Sequence, residues 1–215
     1  MLLKRFLHFS DNEASDRTDA LYKVRPVLDY ILNRFKIMYT PQKNISIDEG
    51  MMLWKGRLGF KVYCPNKPIK WGLRSYILAE SSSGYVYSMK PYSGEGSTLD
   101  QTVPFLLGDL AHKGYHLYMD NFYNSVNRCG LLQELGTQVC GTVRRQRGEP
   151  PEIKRISSPC HLKEGERVTS HNGKGVLLTA WRDGKKIVRM VTTIHENKMV
   201  QVEGKKGARK KRWYG

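Results

Sequence analysis

The order of predicted secondary structure constrains the fold of this chain more than any other feature of its sequence. Apolar residues recur at helical spacing within 26–39, 98–114 and 125–135, and short apolar runs typical of strands lie between them. The order is helix, three strands, helix, strand, helix, strand. Within 71–94, two strand patterns flank the turn signal SSSG and must pair antiparallel. We therefore predict an α/β domain with a mixed sheet flanked by helices.

The charge of the chain indicates a polyanion as its partner. The formal net charge is +16, and residues 141–215 contribute +12 of it through 19 Lys/Arg against 7 Asp/Glu. A chain this basic commonly binds nucleic acid. No stretch predicts a signal peptide or approaches the ~20 apolar residues of a membrane span. The four cysteines lack C-x-x-C spacing, which favours reduced cysteines in a nuclear or cytosolic protein over a zinc knuckle or a disulfide framework.

Two aspartates are the candidate catalytic and metal-binding residues. The alternation of Ile45 and Ile47 predicts a first strand that ends at Asp48, and Asp120 ends the fourth strand. If these strands are neighbours, the two carboxylates meet at one edge of the sheet, where a bound cation would relieve their repulsion. Hard carboxylate ligands suit Mg²⁺ or Mn²⁺, which can assist phosphodiester cleavage. Alternatively, Asp120 caps the helix that follows it and Asp48 is merely solvated.

Basic residues interleaved with aromatic residues form a second candidate site. The aromatic residues near Asp48 are Trp54, Tyr63 and Trp71, and rings beside cationic side chains suit the bases and phosphates of a nucleic acid. In the alternative interpretation, the rings belong to the core and the lysines form a solvated face. The basic run near the C-terminus suits a phosphate-binding arm or a nuclear localisation signal. The predicted nucleic-acid-binding residues are Lys55, Arg57, Lys61, Lys67, Lys70, Arg144, Arg145, Arg147, Lys210, Lys211 and Arg212.

Several segments closely resemble the piggyBac transposases and the host proteins derived from them. The resemblance covers residues 5–200 and is carried by IDEG, KGR and PNKPIK within 47–70, DNFYNS at 120–125 and the stretch 131–151. It implies an RNase H-like core that performs metal-dependent cut-and-paste transposition of DNA, with hairpinned transposon ends and TTAA targets. By resemblance, Asp48 is the first catalytic aspartate and Asp120 is the second, with Mg²⁺ or Mn²⁺ as the cofactor.

The sequence departs from the family pattern in its C-terminal part. The third catalytic aspartate of the family lies in a GGVD-like segment after a DYN-like stretch, and the sequence stops at KKRWYG before either. We also expect neither the N-terminal DNA-binding and dimerisation region nor the cysteine-rich zinc module of the family in this chain. Asp183 fits a hairpin turn, and neither Glu196 nor Glu203 repeats the pattern around Asp120. We expect an RNase H-like sheet that is incomplete at its C-terminal end and binds Mg²⁺ or Mn²⁺ weakly at most.

These interpretations divide the chain into four parts. Residues 1–143 form the transposase core, 144–175 a loop or insertion, 176–202 a β-hairpin with a following strand, and 203–215 a basic tail. The leading hypothesis is a nuclear, transposase-derived DNA-binding protein without complete catalytic machinery. The alternatives are an interaction protein that acts through a larger transposase-like partner and a residual metal-dependent nuclease. We also consider a homodimer, or a heterodimer with a transposase-like protein.

Overall fold

A computed structural model describes residues 7–11, 13–94, 98–198, 200–203 and 209–212, with the side chains of these residues up to 198. The chain forms two units, Met1–Asp109 and Leu110–Gly215. No helix in the described ranges has the length and apolar character needed to cross a membrane.

Helix α1 of the first unit spans Arg25–Met38. Pro26 lies in its first turn, where a missing N–H costs nothing and the fixed φ of proline suits a helix. The helix ends at Tyr39, whose backbone is extended, two residues before Pro41. These bounds confirm the predicted helix, although none of its residues is fully buried.

The strands of the first unit pair antiparallel. They are β1 (Asn44–Leu53), β2 (Val62–Tyr63), β3 (Trp71–Glu80) and β4 (Val86–Pro91). β3 pairs with β1 along one edge and with β2 and β4 along the other. The β3–β4 pair confirms the hairpin predicted around SSSG.

The prediction that the first strand ends at Asp48 is wrong, because β1 continues for five more residues. Asp48 pairs with Ile77, and the ladder runs on until Leu53 pairs with Gly72. The apolar alternation stops at Asp48, but backbone pairing with β3 does not depend on it. A Cβ at Gly72 would lie 2.1 Å from the carbonyl oxygen of Met52, so this close pairing requires glycine.

Helix α2 spans Leu99–Leu107 and is followed by a short 3-10 turn, Gly108–Leu110. It ends before the predicted limit at Gly114, because Gly108 has a φ of 47° and stops the regular turns. Thr98 occupies the N-cap position, but its side chain makes no capping hydrogen bond.

The strands of the second unit form a mixed arrangement. β5 (His116–Met119) pairs parallel with β6 (Gln138–Thr142), and helix α3 (Val126–Glu134) connects them. Gly136, with a φ of 65°, follows α3 and stops the helix, because glycine adopts this left-handed conformation without strain. The buried side chains of Leu117, Cys129, Leu132 and Val139 form the core between helix and strands.

The segment 144–175, predicted as a loop or insertion, contains regular structure. It holds helix α4 (Pro151–Lys154) and strand β7 (Arg167–His171). β7 pairs antiparallel with β8 (Leu177–Asp183). β8 pairs antiparallel with β9 (Lys186–Thr192), which in turn pairs antiparallel with β6. The β8–β9 hairpin confirms the turn predicted at Asp183-Gly184.

The backbone of the basic C-terminal stretch forms a second, two-stranded antiparallel ribbon. Its strands are β10 (Val200–Glu203) and β11 (Arg209–Arg212). The predicted nucleic-acid-binding residues Lys210, Lys211 and Arg212 lie on β11, and their side chains fall outside the described part of the chain.

Candidate functional site

The motif DNFYN forms a turn directly after β5. The Oδ1 atom of Asp120 accepts a hydrogen bond of 2.8 Å from the backbone N–H of Phe122. The Asp120 carbonyl oxygen accepts from the N–H groups of Tyr123 and Asn124 at 3.3 and 3.2 Å. Asp120 is exposed, so the turn holds its carboxylate at the surface.

The alternative interpretation of Asp120 as the cap of α3 is wrong. The N-cap residue of α3 is Ser125, whose hydroxyl accepts from the backbone N–H of Arg128 at 3.2 Å. Asp120 therefore has no capping task in this helix, and its carboxylate stands at the carboxyl end of β5, as predicted.

Asn124 joins the ends of the two parallel strands. Its side chain is fully buried, and Nδ2 donates to the carbonyl oxygens of Met119 at 2.8 Å and Thr142 at 2.9 Å. Gly141 provides the space, since a Cβ there would lie 1.8 Å from the Met119 oxygen and 2.4 Å from Nδ2 of Asn124. The bridge positions the backbone from which the Asp120 turn starts.

Asn124 and Gly141 belong to this site, although neither was predicted there from the sequence. The available signals were an amide four residues after the aspartate and a glycine in the middle of an apolar strand. Neither signal identifies the other residue, because their contact depends on how β5 and β6 pair.

Arg144 lies against the same turn. Its Nε donates to Oδ1 of Asn121 at 2.7 Å, and its guanidinium carbon is 5.6 Å from the ring centroid of Phe122. The side chain is exposed despite these two contacts. The structure thus brings one predicted nucleic-acid-binding residue to the turn that carries Asp120.

The loop after β6 is anchored by a buried ion pair. The carboxylate of Glu149 lies 3.6 Å from Nε of Arg189, and their side chains are 1% and 9% exposed. Burial lowers the pKa of Arg189, an effect that Glu149 partly offsets. Glu149 also accepts from the backbone N–H of Arg147 at 3.0 Å, which fixes the loop beside Arg144 and Arg145.

Asp48 lies in the middle of β1, with its side chain 70% exposed. The ammonium of Lys67 is 3.7 Å from Oδ1 of Asp48 and 3.6 Å from Oε2 of Glu49. Glu49 is only 15% exposed, as alternation along a strand predicts for the next residue. Lys67, a predicted phosphate ligand, therefore lies beside the first candidate aspartate.

The aromatic residues near Asp48 are not core residues. Tyr63 and Trp71 are both 52% exposed, and their ring centroids lie 4.7 Å apart. Nζ of Lys61 is 5.4 Å from the ring centroid of Trp71, and Lys55, Arg57 and Lys70 are exposed nearby in sequence. The alternative that placed these rings in the core is therefore wrong.

Asp48 and Asp120 belong to different units, and their predicted meeting at one metal site stays a prediction. Within the described ranges, no group of three or more His, Cys, Asp or Glu residues is arranged to hold a metal ion. Glu196, considered as a replacement ligand, is paired with Lys198. The side chain of Glu203 lies outside the described residues.

The chain is similar in sequence to transposases and to human proteins derived from them. A family model described as Transposase IS4 matches residues 2–213. Human PiggyBac transposable element-derived protein 3 is 30% identical over 194 residues, which cover 82% of this chain and 32% of the relative. Human PiggyBac transposable element-derived protein 2 is 28% identical over 177 residues, which cover 77% and 29%. The chain thus spans less than a third of the length of these relatives.

The fold is similar to that of piggyBac transposase in the cryo-EM structure of its synaptic complex with hairpin DNA. The TM-score is 0.81 at 24% identity, and the match covers 96% of this chain and 44% of the other. This likeness confirms the predicted RNase H-like mixed α/β fold. Because the family model also matches nearly all residues, the chain belongs to the piggyBac-type family of DDE transposases and is transposase-derived.

Proposed function

We propose that this chain is a nuclear DNA-binding protein whose catalytic site is incomplete. The observation that carries the proposal is the exposed side chain of Arg144, held by Asn121 and Phe122 against the turn that begins at Asp120. An arginine that is already ordered loses little side-chain entropy when it binds a phosphate. The net charge of +16 supports the same partner.

The proposed catalytic deficiency concerns metal ligands. DDE-type transposases generally use divalent metal ions. The exposed carboxylates of Asp48 and Asp120 are hard oxygen donors that suit Mg²⁺ or Mn²⁺, which would supply positive charge for phosphodiester cleavage. A two-metal site normally needs further ligands to fix both ions, so we expect weak metal binding and no efficient cleavage.

A second candidate is an interaction protein that acts through a larger transposase-like partner. The exposed apolar side chains of α1 favour it, since Tyr30, Ile37 and Met38 are 61%, 64% and 71% exposed. Such a protein would need no DNA affinity of its own, which makes DNA binding the property that separates the two candidates.

The test is the salt dependence of duplex binding by the full chain, measured by fluorescence anisotropy between 50 and 200 mM NaCl. We expect a steep loss of affinity with salt, and the Arg144→Ala variant should bind more weakly with a slope smaller by about 0.9. Lys113→Ala is the matched control, because Lys113 is exposed and precedes β5, whereas the DNFYN turn follows the other end of that strand.

Two results would contradict the proposal. If the chain binds duplex DNA without salt dependence, phosphate contacts do not hold it. If Arg144→Ala and Lys113→Ala weaken binding equally, the attraction comes from the net charge of the chain alone, and the DNFYN turn is not the interface.

A further inference from the structure

The adjacent rings of Tyr63 and Trp71, tilted by 38° to each other, form an exposed aromatic surface that duplex binding does not explain. Half of each residue is accessible, and the rings lie side by side because the two residues pair directly in the β2–β3 ladder. Met52, which is 58% exposed, pairs with Leu73, two residues from Trp71 and therefore on the same face of the sheet. Exposed apolar groups that cluster in this way commonly mark a binding surface.

The turn between the two rings is fixed by its own backbone. The N–H of Cys64 donates to the carbonyl oxygen of Lys70 at 2.7 Å, and the N–H of Lys67 donates to the carbonyl oxygen of Cys64 at 3.2 Å. Pro65 and Pro68 restrict the backbone further. The rings are therefore presented in a defined arrangement, so a ligand that stacks on them pays little to order them.

The charge around the rings is mostly positive, and the two neighbouring acids, Asp48 and Glu49, are paired with Lys67 of the turn. Residues 50–79 contain six Lys/Arg and no Asp or Glu. Lys61 contacts the Trp71 ring itself, at 5.4 Å from its centroid. A ligand that contacts both the basic side chains and the rings of this surface carries repeated negative charges and presents flat apolar faces. A single strand of nucleic acid has both properties, whereas the bases of a duplex already stack on one another.

We propose that the Tyr63–Trp71 pair is a stacking site for the unpaired bases of single-stranded DNA, with Lys61 placed for the adjoining phosphate. The proposal rests on the DNA-binding function proposed above, because DNA is the ligand in both. It differs by assigning another surface of the chain and the single-stranded form of DNA. Stacking on exposed rings is insensitive to base identity, so the site reads strandedness rather than sequence.

The test compares a labelled 15-nucleotide oligothymidine with a duplex of equal length, using the full chain and its Trp71→Ala variant. We expect the variant to bind the single strand roughly 5- to 150-fold more weakly, which is the range for one lost base–ring stack. Its affinity for the duplex should change less than about twofold, because phosphate contacts dominate duplex binding. Trp71→Phe keeps a ring and should recover most of the single-strand affinity.

The matched control is Phe105→Ala. Phe105 is 54% exposed and has the ammonium of Lys90 5.2 Å from its ring centroid, so it offers a similar ring and cation. It lies on α2, away from the β2–β3 turn in sequence, and its loss should leave both affinities unchanged. Quenching of tryptophan emission by oligothymidine, smaller in Trp71→Phe than in the parent, provides a readout that does not depend on the stability of the alanine variant.

The outcomes separate this proposal from the one on which it rests. Salt-dependent duplex binding together with unchanged oligothymidine affinity in Trp71→Ala overturns the stacking site and assigns the rings to a protein partner. An equal loss of affinity for oligothymidine and for the duplex overturns the stacking site as well, because the Trp71 ring would then stabilise the β2–β3 turn and not contact a base. Absence of binding to either DNA refutes the proposed DNA-binding function itself.

Discussion

Replacing Asn124 by alanine should destabilise the second unit strongly. The substitution removes the donor of two buried hydrogen bonds, at 2.8 Å to Met119 and 2.9 Å to Thr142. Each lost bond costs about 0.5–1.5 kcal/mol, and leaving buried carbonyl oxygens without a donor costs more. We therefore expect the free energy of unfolding to fall by about 2–4 kcal/mol, measured by urea denaturation followed by circular dichroism.

The control for this prediction is Asn127→Ala. Asn127 is exposed on α3, three residues later, and its replacement should change the free energy of unfolding by less than about 0.5 kcal/mol. Equal and small effects of the two substitutions would refute the reasoning, because the bridge between β5 and β6 would then contribute nothing. An equally large effect of both would show that α3, rather than the bridge, is the sensitive element.

Three further predictions concern other buried groups. Glu149→Gln should cost about 3 kcal/mol in urea denaturation, since it leaves a buried arginine without its counter-charge, and an unchanged midpoint would refute this. The Ser83 hydroxyl and other donors lower the pKa of Glu80, so its stabilising effect is present at neutral pH and lost as pH falls through that lowered pKa. Glu80→Gln should therefore destabilise the chain near pH 7 and less in acid, and a pH-independent difference between the thermal midpoints of parent and variant would contradict this. Burial raises the pKa of Cys129 to about 12, so iodoacetamide at pH 8 should label exposed Cys160 and spare Cys129 until urea is added; mass spectrometry of the native chain reads the result.

Elements whose ends depend on local chemistry were predictable from the sequence. Pro26 in the first turn marks the start of α1, Gly136 marks the end of α3, and Asp183-Gly184 marks the β8–β9 turn. In each case one residue favours a particular backbone conformation whatever surrounds it. The exposed position of Asp120 was also predictable, because the apolar strand pattern of β5 ends directly before this residue.

Features that depend on partners distant in sequence were not predictable. The continuation of β1 beyond Asp48 is imposed by β3, about thirty residues later, through backbone pairing that side-chain alternation does not report. The irregular spacing of Ile153 and Leu162 hides the fact that both are buried within 144–175. The Glu149–Arg189 pair joins residues that share no motif, so only the tertiary structure brings them together.

The proposal that the catalytic site is incomplete is tested most directly by one cleavage assay. The purified full chain is incubated with Mn²⁺ and labelled transposon ends flanked by TTAA, beside the Asp120→Ala variant, and the products are separated on a denaturing gel. We predict that the chain retains DNA in a parallel binding assay and that the parent cleaves no more than the variant, because two carboxylates do not fix two metal ions. Cleavage by the parent that Asp120→Ala abolishes would contradict the proposal and would require a further metal ligand.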